Sequence, residues 1–485
     1  MDTKKLRQKI LDLAIRGKLV PQDPNDEPAS VLLERIRAEK EKLIKEGKIK
    51  RSKKSASASD TPHYENDAPF EVPESWEWCK LSDIASFGGG KTPSMDNKQY
   101  WSNGNNLWIT SKDMKSERIA DSMMKISDEA LTFMTQYESG TLLMVTRSGI
   151  LRHTLPVAIL EKKATVNQDL KVISLYTKEI HKYIFFAIKA REEFILKEYH
   201  KDGTTVDSIN FEKFSDILLP MPPYDEQQRI VSTIEQWFTL IDTLENAKDD
   251  LQTAIAQAKS KILDLAIHGK LVPQDPSDEP AIELLKRINS KFTPCDNAHY
   301  ENLPNGWCAM QLGDLCTTIN GLWKGKKEPF VNVGVIRNAN FTKDFKLDYS
   351  NIAYLDVEKK QYEKRKLKVG DIVVEKSGGS DSQPVGRTVL FTKTEGEFSF
   401  SNFTSVLRII DGYPVLPDYI NCFLHSLYLK GITKEMQTQT IGIHNLIFDQ
   451  FLSIQILLPP LTEQERIVSE INRYNELLDK ISAEL

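Results

Sequence analysis

Between Asp225 and about Ile267, apolar side chains recur at Ile230, Ile234, Trp237, Ile241, Leu244, Leu251, Ile255, Ala258, Ile262 and Leu265. Those steps of four and three mark one stripe of a long helix, interrupted only by Lys248. Pro222 and Pro223 stand just ahead, Asp225 can cap the first turn, and Gly269 follows as a stop. At 1.5 Å per residue the helix would extend roughly 60 Å. An apolar stripe of that length needs a second helix against it.

The second helix is supplied by the end of the chain. PPLTEQERIV (459–468) matches PPYDEQQRIV (222–231) without a gap, and Ile467, Ile471, Tyr474, Leu478, Ile481 and Leu485 continue the stripe in register. The chain stops there, and the remainder of the pattern is found at its beginning, where Leu6, Ile10 and Leu13 match Ala258, Ile262 and Leu265. Residues 10–29 (ILDLAIRGKLVPQDPNDEPA) recur at 262–281 with 18 of 20 positions identical. The duplication is therefore circular, which predicts termini close in space and framework helices related by an approximate twofold. After each LVPQDP a short amphipathic helix is expected, capped by Asp26 or Asp278, with proline in its first turn. The first of these runs on through Lys40, Lys42, Lys45, Lys48 and Lys50 into SKKSASASD (52–60), which reads as a solvated linker.

Residues 63–222 and 299–459 differ from each other far more than the framework does. Both open on a proline and a tryptophan (VPESWEW, LPNGW) and close on an apolar, proline-flanked strand (ILLPMPP, IQILLPP). Between them lie short apolar runs, TLLMV, VAIL and LKVISL in one and DIVVE, RTVLF and SVLRII in the other, followed by a helix. Gly140 and Thr141 align with Gly370 and Asp371, and Pro156 and Val157 with Pro384 and Val385. The expected fold is α+β: two α/β inserts separated by two long antiparallel coiled-coil helices, in a pseudo-twofold circular tandem repeat. The segments are 1–62 (N-terminal framework), 63–222 (first insert), 223–298 (central helical region), 299–459 (second insert) and 460–485 (C-terminal helix).

The loops between these strands hold residue types suited to base edges and phosphates. In the first insert they are Lys91 and Thr92, Ser111 and Lys112, Arg147, Ser148 and Arg152, and Asn167 and Gln168. In the second they are Lys324 and Lys326, Arg337 and Asn338, Lys376 and Ser377, Arg387 and Asn402. Arg and Lys suit guanine O6 and N7, Asn and Gln suit adenine, and flanking glycines let the backbone approach phosphate. A formal charge of −5 is unlike that of a free-standing basic DNA binder, so partners would have to supply much of the positive field. No apolar run is long enough to cross a bilayer and no signal peptide is apparent, so a cytoplasmic protein is expected. Five cysteines form no CxxC pair, and no metal site is expected.

Enzyme motifs fail on inspection. GGGKT (88–92) lacks the glycine that a phosphate-binding loop needs at Ala85, and Pro93 stands where its helix would start. PPY at 222–224 follows Met221, where an amino-methyltransferase would need Asn or Asp, and no glycine-rich cofactor loop completes such a site. No catalytic constellation is expected in this chain.

The motif LAIxGKLVPQDPxDEPAxxLLxRI, the closing LPPLTEQERIV and the two divergent inserts resemble the specificity subunits of type I restriction-modification systems. The resemblance spans the whole chain. It implies that each insert is a target recognition domain reading one half of a split, asymmetric double-stranded DNA sequence. The helices, with Ile230, Ile234, Trp237, Ile241, Leu244, Leu251, Ile255, Ile467, Ile471 and Leu478, would set the gap and dock methyltransferase subunits, two of them by symmetry. It also implies restriction and translocase subunits as partners, no cofactor in this chain, and S-adenosylmethionine and ATP with Mg²⁺ in the partners. The competing reading is a coiled-coil scaffold whose inserts bind proteins.

Overall fold

The computed structural model describes residues 2–49, 68–203, 206–288, 290, 292–295, 303–440 and 442–485. The chain divides into two compact units, Met1–Asn246 and Ala247–Leu485, each holding one insert with helical segments around it. The helix expected from the apolar stripe is Tyr224–Ile267, 44 residues without a break.

In the first unit the helix Thr3–Ile15 runs antiparallel to the first part of this central helix. Arg7 pairs with Asp242 at 2.5 Å and with Glu245 at 3.1 Å, while Asp26, beyond the helix, pairs with Arg229 at 2.5 Å. The second unit repeats the arrangement with other pieces of chain. Lys259 on the last part of the central helix pairs with Asp479 of the C-terminal helix Leu461–Glu484 at 2.5 Å, and Asp278 pairs with Arg466 at 2.5 Å. The circular duplication thus appears as one antiparallel helix pair built twice.

A buried tryptophan closes each pair. Trp76 Nε1 donates to Glu226 at 2.9 Å and Trp307 Nε1 to Glu463 at 3.0 Å, with both carboxyls about 1% exposed. Burial pushes both glutamates up from the usual carboxylate range, and the indole bonds pull them back. Gly17 and Gly269 turn the chain at φ +65° just after each helix; a Cβ on either would meet Pro73 Cγ at 2.4 Å or Pro304 Cγ at 2.6 Å. The repeated glycine of the sequence is needed for both reasons.

Three framework expectations need correction. Asp225 lies inside the first turn of the helix Tyr224–Ile267 and not ahead of it as a cap. Asp26 and Asp278 do not cap the following helices, which start at Ala29 and Ala281; the first has Pro28 as its cap and no side-chain capping bond. Both aspartates are held by the arginines instead, because an ion pair across the helix pair outweighs a local cap for a half-buried carboxylate. The apolar stripe is also shorter than its spacing suggests. Ile230, Ile234, Ile241 and Ile255 are buried, as are Ile467 and Ile471, and Leu478 is half-buried; Trp237, Leu244 and Leu251 are 45, 46 and 40% exposed. Phe238 takes the inward place beside Trp237, packing on Phe186 and under Arg7. The helix Thr3–Ile15 has only 13 residues and reaches no further than Glu245.

The inserts share one plan. Each is closed by pairing its opening and closing strands, Glu77–Lys80 with Leu218–Met221 and Cys308–Gln311 with Gln455–Leu458. The first insert holds a five-stranded sheet in the order Ala85–Gly89, Leu170–Leu175, Leu142–Val145, Val157–Leu160, Arg118–Ile119. Beside it is a three-stranded sheet, Met124–Ile126, Asn106–Ile109, Ala164–Val166. The second insert repeats the first four strands of the larger sheet as Cys316–Asn320, Thr404–Ile409, Ile372–Glu375, Thr388–Leu390, and the smaller sheet as Ala353–Glu358, Phe330–Ile336, Phe398–Phe400. Leu142 lies opposite Ile173 and Ile159 just as Ile372 lies opposite Leu407 and Leu390. The central strands Leu142–Val145 and Ile372–Glu375 are buried along their whole length, which explains their unbroken apolar runs. Helices His181–Ala190 and Pro417–Leu429 pack on the sheets, each donating a buried tyrosine hydroxyl to the closing strand, Tyr183 to the Pro220 carbonyl at 2.7 Å and Tyr419 to that of Leu457 at 2.6 Å.

The ladder corrects one alignment. Val145 N–H donates to the Pro156 carbonyl at 3.0 Å and Glu375 N–H to that of Arg387 at 2.8 Å, so Pro156 corresponds to Arg387 and not to Pro384. A shared Pro-Val pair imposes no register, whereas the ladder bonds do. The five cysteines are free, with Cys79, Cys308 and Cys316 buried. Among the described residues no helix is long and apolar enough to cross a membrane.

Replacing Trp76 with Phe leaves Glu226 with one fewer donor in a buried site. We expect a loss of about 1–3 kcal/mol confined to the first unit, read by amide exchange as lost protection within residues 2–246 with the second unit unchanged. Trp307→Phe is expected to give the mirror result.

Candidate nucleic-acid interface

The strand order brings four loops of each insert to one end. In the first insert Gly89, at the end of its strand, lies opposite Lys171, and Val145 lies opposite Leu170, so both strands finish where Leu170–Leu175 begins. Ile109 and Val166 end side by side in the other sheet, and Val166 leads through residues 167–169 into that same strand. The loops after Gly89, Ile109, Val145 and Val166 therefore meet, and they are the loops that hold Lys91 and Thr92, Ser111 and Lys112, Arg147 to Arg152, and Asn167 and Gln168. In the second insert the strands ending at Asn320, Ile336, Glu375 and Phe400 meet in the same way.

Three main-chain bonds tie the loops together, and they recur in both inserts. Lys91 N–H donates to the Val166 carbonyl at 3.2 Å, Asn167 N–H to Ile109 at 2.9 Å, and Thr146 N–H to Asp169 at 2.9 Å. Their counterparts are Leu322 to Phe400 at 2.9 Å, Ser401 to Ile336 at 2.8 Å, and Lys376 to Phe403 at 2.9 Å. The approach is close enough that a Cβ on Gly90 would lie 1.6 Å from the Val166 oxygen, and one on Gly321 2.1 Å from that of Ser401. These bonds make Thr92 the counterpart of Trp323, Gln168 of Asn402 and Asp169 of Phe403.

A fifth element, absent from the sequence reading, joins the knot. His200–Lys201 and Ser208–Ile209 form a hairpin whose Ile209 N–H donates to the Thr146 carbonyl at 3.0 Å, with Ser208 bridged to Arg147. In the second insert Gln437–Thr440 and Ile443–Leu446 do the same, with Leu446 donating to the Lys376 carbonyl at 2.8 Å and Asn445 opposite Ser377. The 237-residue offset that relates Pro222 to Pro459 also relates Ser208 to Asn445. Extending that offset backward through SINF and NLIF would have found the hairpin.

The candidate side chains fall into two groups. Lys91, Thr92, Lys112, Arg147, Arg152, Gln168, Lys324, Lys326 and Asn402 are exposed; Ser111, Ser148, Arg337, Asn338, Lys376 and Ser377 are half-buried. Thr92 and Gln168 bond each other at 2.5 Å, Asn338 Nδ2 donates to the Ser377 carbonyl at 2.6 Å, and Ser377 Oγ donates to Asn445 Oδ1 at 2.5 Å. Two residues turn inward. Asn167 is 6% exposed and its amide group is bonded to Asp169 in both directions. Arg387 pairs with the fully buried Glu375 at 2.7 Å. Both build the knot and present no group to a ligand, because a buried carboxylate and a tight loop each require their donors.

In each insert a side-chain pair locks hairpin to loop. Arg152 Nε donates to Asp207 at 2.7 Å, and the position equivalent to Asp207 is His444, whose Nε2 lies 3.1 Å from Asp381 in the corresponding loop. The lock is kept while the acid moves from hairpin to loop. The Arg152 guanidinium, with the Gly203 N–H, lowers the Asp207 carboxyl to about 2. His200, Asp202 and Asp207 are the one grouping among the described residues with atoms close enough to hold a metal ion, but a cation there would compete with Arg152 for Asp207.

The chain matches the family "Type I restriction modification DNA specificity domain" over residues 73–253 and again over 304–485, and it belongs to that family. It is 29% identical to the type I restriction enzyme EcoEI specificity subunit of Escherichia coli, over 99% of this chain and 90% of that one. It is 28% identical to the EcoAI specificity subunit of the same organism, again over 99% and 90%. Among solved structures, a chain from "Structural basis underlying complex assembly and conformational transition of the type I R-M system" aligns with a TM-score of 0.56 at 17% identity, covering 86% of this chain and 94% of that one. The chain is thus a type I specificity subunit with a role in DNA recognition, as its repeated inserts and helices led one to expect.

Gly90→Ala should break the loop knot of the first insert, costing at least about 1–3 kcal/mol, seen as lost exchange protection at Lys91 and Asn167. The Arg152 lock depends on pH in a defined direction. Asp207 titrates below its ordinary value of 3.8, so the pair's contribution is complete above that value and is lost as pH falls through about 2. The carboxyl carbon shift of Asp207 in an acid titration reads this directly, and Arg152→Gln should raise its midpoint toward the ordinary range, with the Gly203 N–H still holding it below.

Proposed function

We infer that each loop knot is a DNA-reading face, and that the two inserts read unlike halves of a split, asymmetric double-stranded sequence. The observation that carries this is the identical main-chain knot built in both inserts beneath unlike exposed side chains. Lys91, Lys112, Arg147 and Gln168 face solvent in one, and Lys324, Lys326 and Asn402 in the other. Cationic and amide groups of these types contact phosphates and base edges, and two unlike sets specify two unlike half-sites. The central helix sets the gap between the half-sites by its length.

Two methyltransferase subunits dock on the helices, where Trp237, Leu244 and Leu251 leave apolar surface uncovered. Those subunits hold S-adenosylmethionine, restriction and translocase subunits hold ATP and Mg²⁺, and this chain contributes recognition and no bond-making step. The complex works in the cytoplasm, where host DNA is. The low net charge fits a chain that embraces DNA only together with more basic partners.

Mapping methylated bases across host DNA by single-molecule sequencing tests the reading. A split motif with two unlike halves that disappears when the chain is deleted is expected. Exchanging residues 63–222 for those of a relative should change one half of the motif alone. Removing one turn from the central helix should shorten the gap and leave both halves as they were. Methylation unaffected by deletion, with the methyltransferase subunits still expressed, would instead favour a protein-binding scaffold.

A further inference from the structure

The two knots differ most at the pair of positions that follow their shared bonds. In the first insert these are Thr92, bonded to Gln168, and Asp169, which accepts from the Asn167 amide. In the second they are Trp323 and Phe403, 63 and 45% exposed. Trp323 is the most exposed of the seven tryptophans in the chain. Main-chain bonds hold both positions: Trp323 lies between Leu322, whose N–H donates to the Phe400 carbonyl, and Lys324, whose carbonyl accepts from Glu358 N–H, while the Phe403 carbonyl accepts from Lys376 and Ser377. Two large apolar side chains are therefore held toward water by a rigid backbone, at a cost that burial elsewhere in the domain would have avoided.

The surroundings state the ligand. Lys324, Lys326 and Lys327 follow Trp323 at once and are all exposed. Their loop is tied down by Glu358, 9% exposed, whose carboxylate accepts from Lys326 N–H at 3.1 Å and Lys327 N–H at 3.3 Å and whose own N–H donates to the Lys324 carbonyl at 2.9 Å. Gly325 is required there, since a Cβ would lie 2.4 Å from the Glu358 carboxylate. Exposed apolar side chains on the same knot as positioned cations suit a polyanion that also carries an apolar feature. On the major-groove edge of duplex DNA that feature is the thymine 5-methyl group.

We propose that Trp323, with Phe403, contacts thymine methyl groups in the half-site read by the second insert, so that this half is recognised partly by apolar contact while the first is read by polar groups. The proposal rests on the DNA-reading assignment above. It makes Trp323 a specificity residue and the neighbouring lysines anchors to phosphate.

The test uses the chain assembled with its methyltransferase subunits and duplexes carrying the mapped target, with binding followed by fluorescence anisotropy at fixed salt. Each thymine of the second half-site is replaced in turn by deoxyuridine, which removes only the methyl. Wild type should bind at least one such duplex about fourfold more weakly, the loss expected for one buried methyl-sized group at ~0.8 kcal/mol. Trp323→Ala, a change at an exposed position, should bind thymine and deoxyuridine duplexes alike, with its salt dependence unchanged; Lys324→Ala should reduce the salt dependence and keep the methyl effect.

Deoxyuridine tolerated at every position, a methyl effect that survives in Trp323→Ala, or a second half-site with no A·T pair would each overturn the proposal. A uniform loss in Trp323→Ala without any methyl effect would do so too, and would indicate a side chain wedged between bases. Failure of the DNA-reading assignment looks different: the unmodified target would bind no better than an unrelated duplex.

Discussion

The hydrogen bonds that gather the loops of each insert run from main chain to main chain. Lys91 to Val166, Asn167 to Ile109 and Thr146 to Asp169 use only N–H and C=O groups, as do Leu322 to Phe400, Ser401 to Ile336 and Lys376 to Phe403. A peptide bond offers the same donor and acceptor whatever side chain it bears, so beyond the inward support of Asn167 and Arg387 the knot does not depend on which residues occupy it. It depends on glycine at one place, where Gly90 and Gly321 approach a carbonyl too closely for any Cβ. Everything else on the surface of the knot is free to differ, and Thr92 against Trp323 or Asp169 against Phe403 shows how far it does.

The framework works in the opposite manner, holding its side chains constant. Trp76 on Glu226 and Trp307 on Glu463, Arg229 on Asp26 and Arg466 on Asp278, Tyr183 and Tyr419 on their closing strands are matched pairs with nearly equal lengths. Burying a carboxylate is costly unless its donors are present, so each member of a pair constrains the other. Asp26 and Asp278 lie in the duplicated segment, where 18 positions in 20 are identical while the inserts diverge. The frame is thus fixed through its side chains and the inserts through their main chain.

Much of this was legible in the sequence because it rests on periodicity and on apolar runs. The helix Tyr224–Ile267 follows from its stripe, and Leu142–Val145, Val157–Leu160 and Leu170–Leu175 follow from uninterrupted burial. What escaped depends on direction and on distant partners. Asp26 has the look of a helix cap, yet its arginine lies 203 residues away. Asn167 and Arg387 are the right types for base contact, and only the fold shows that Asp169 and Glu375 occupy them. Trp237 keeps the helical spacing but faces solvent, because Phe238 fills the inward place. The paired strands His200–Lys201 with Ser208–Ile209, and Gln437–Thr440 with Ile443–Leu446, are short and largely polar, with no apolar alternation to announce them.

The central claim is that the knot of the first insert holds its reading side chains without being held by them. It is tested most directly by changing Lys91, Lys112, Arg147 and Gln168 together to alanine and mapping methylation across host DNA by single-molecule sequencing, alongside a thermal melt of the purified chain. The account predicts an unchanged melt and a motif in which one half loses its definition or its methylation while the bases specified by the other half stay the same. An intact motif, or an insert that no longer folds, would contradict it.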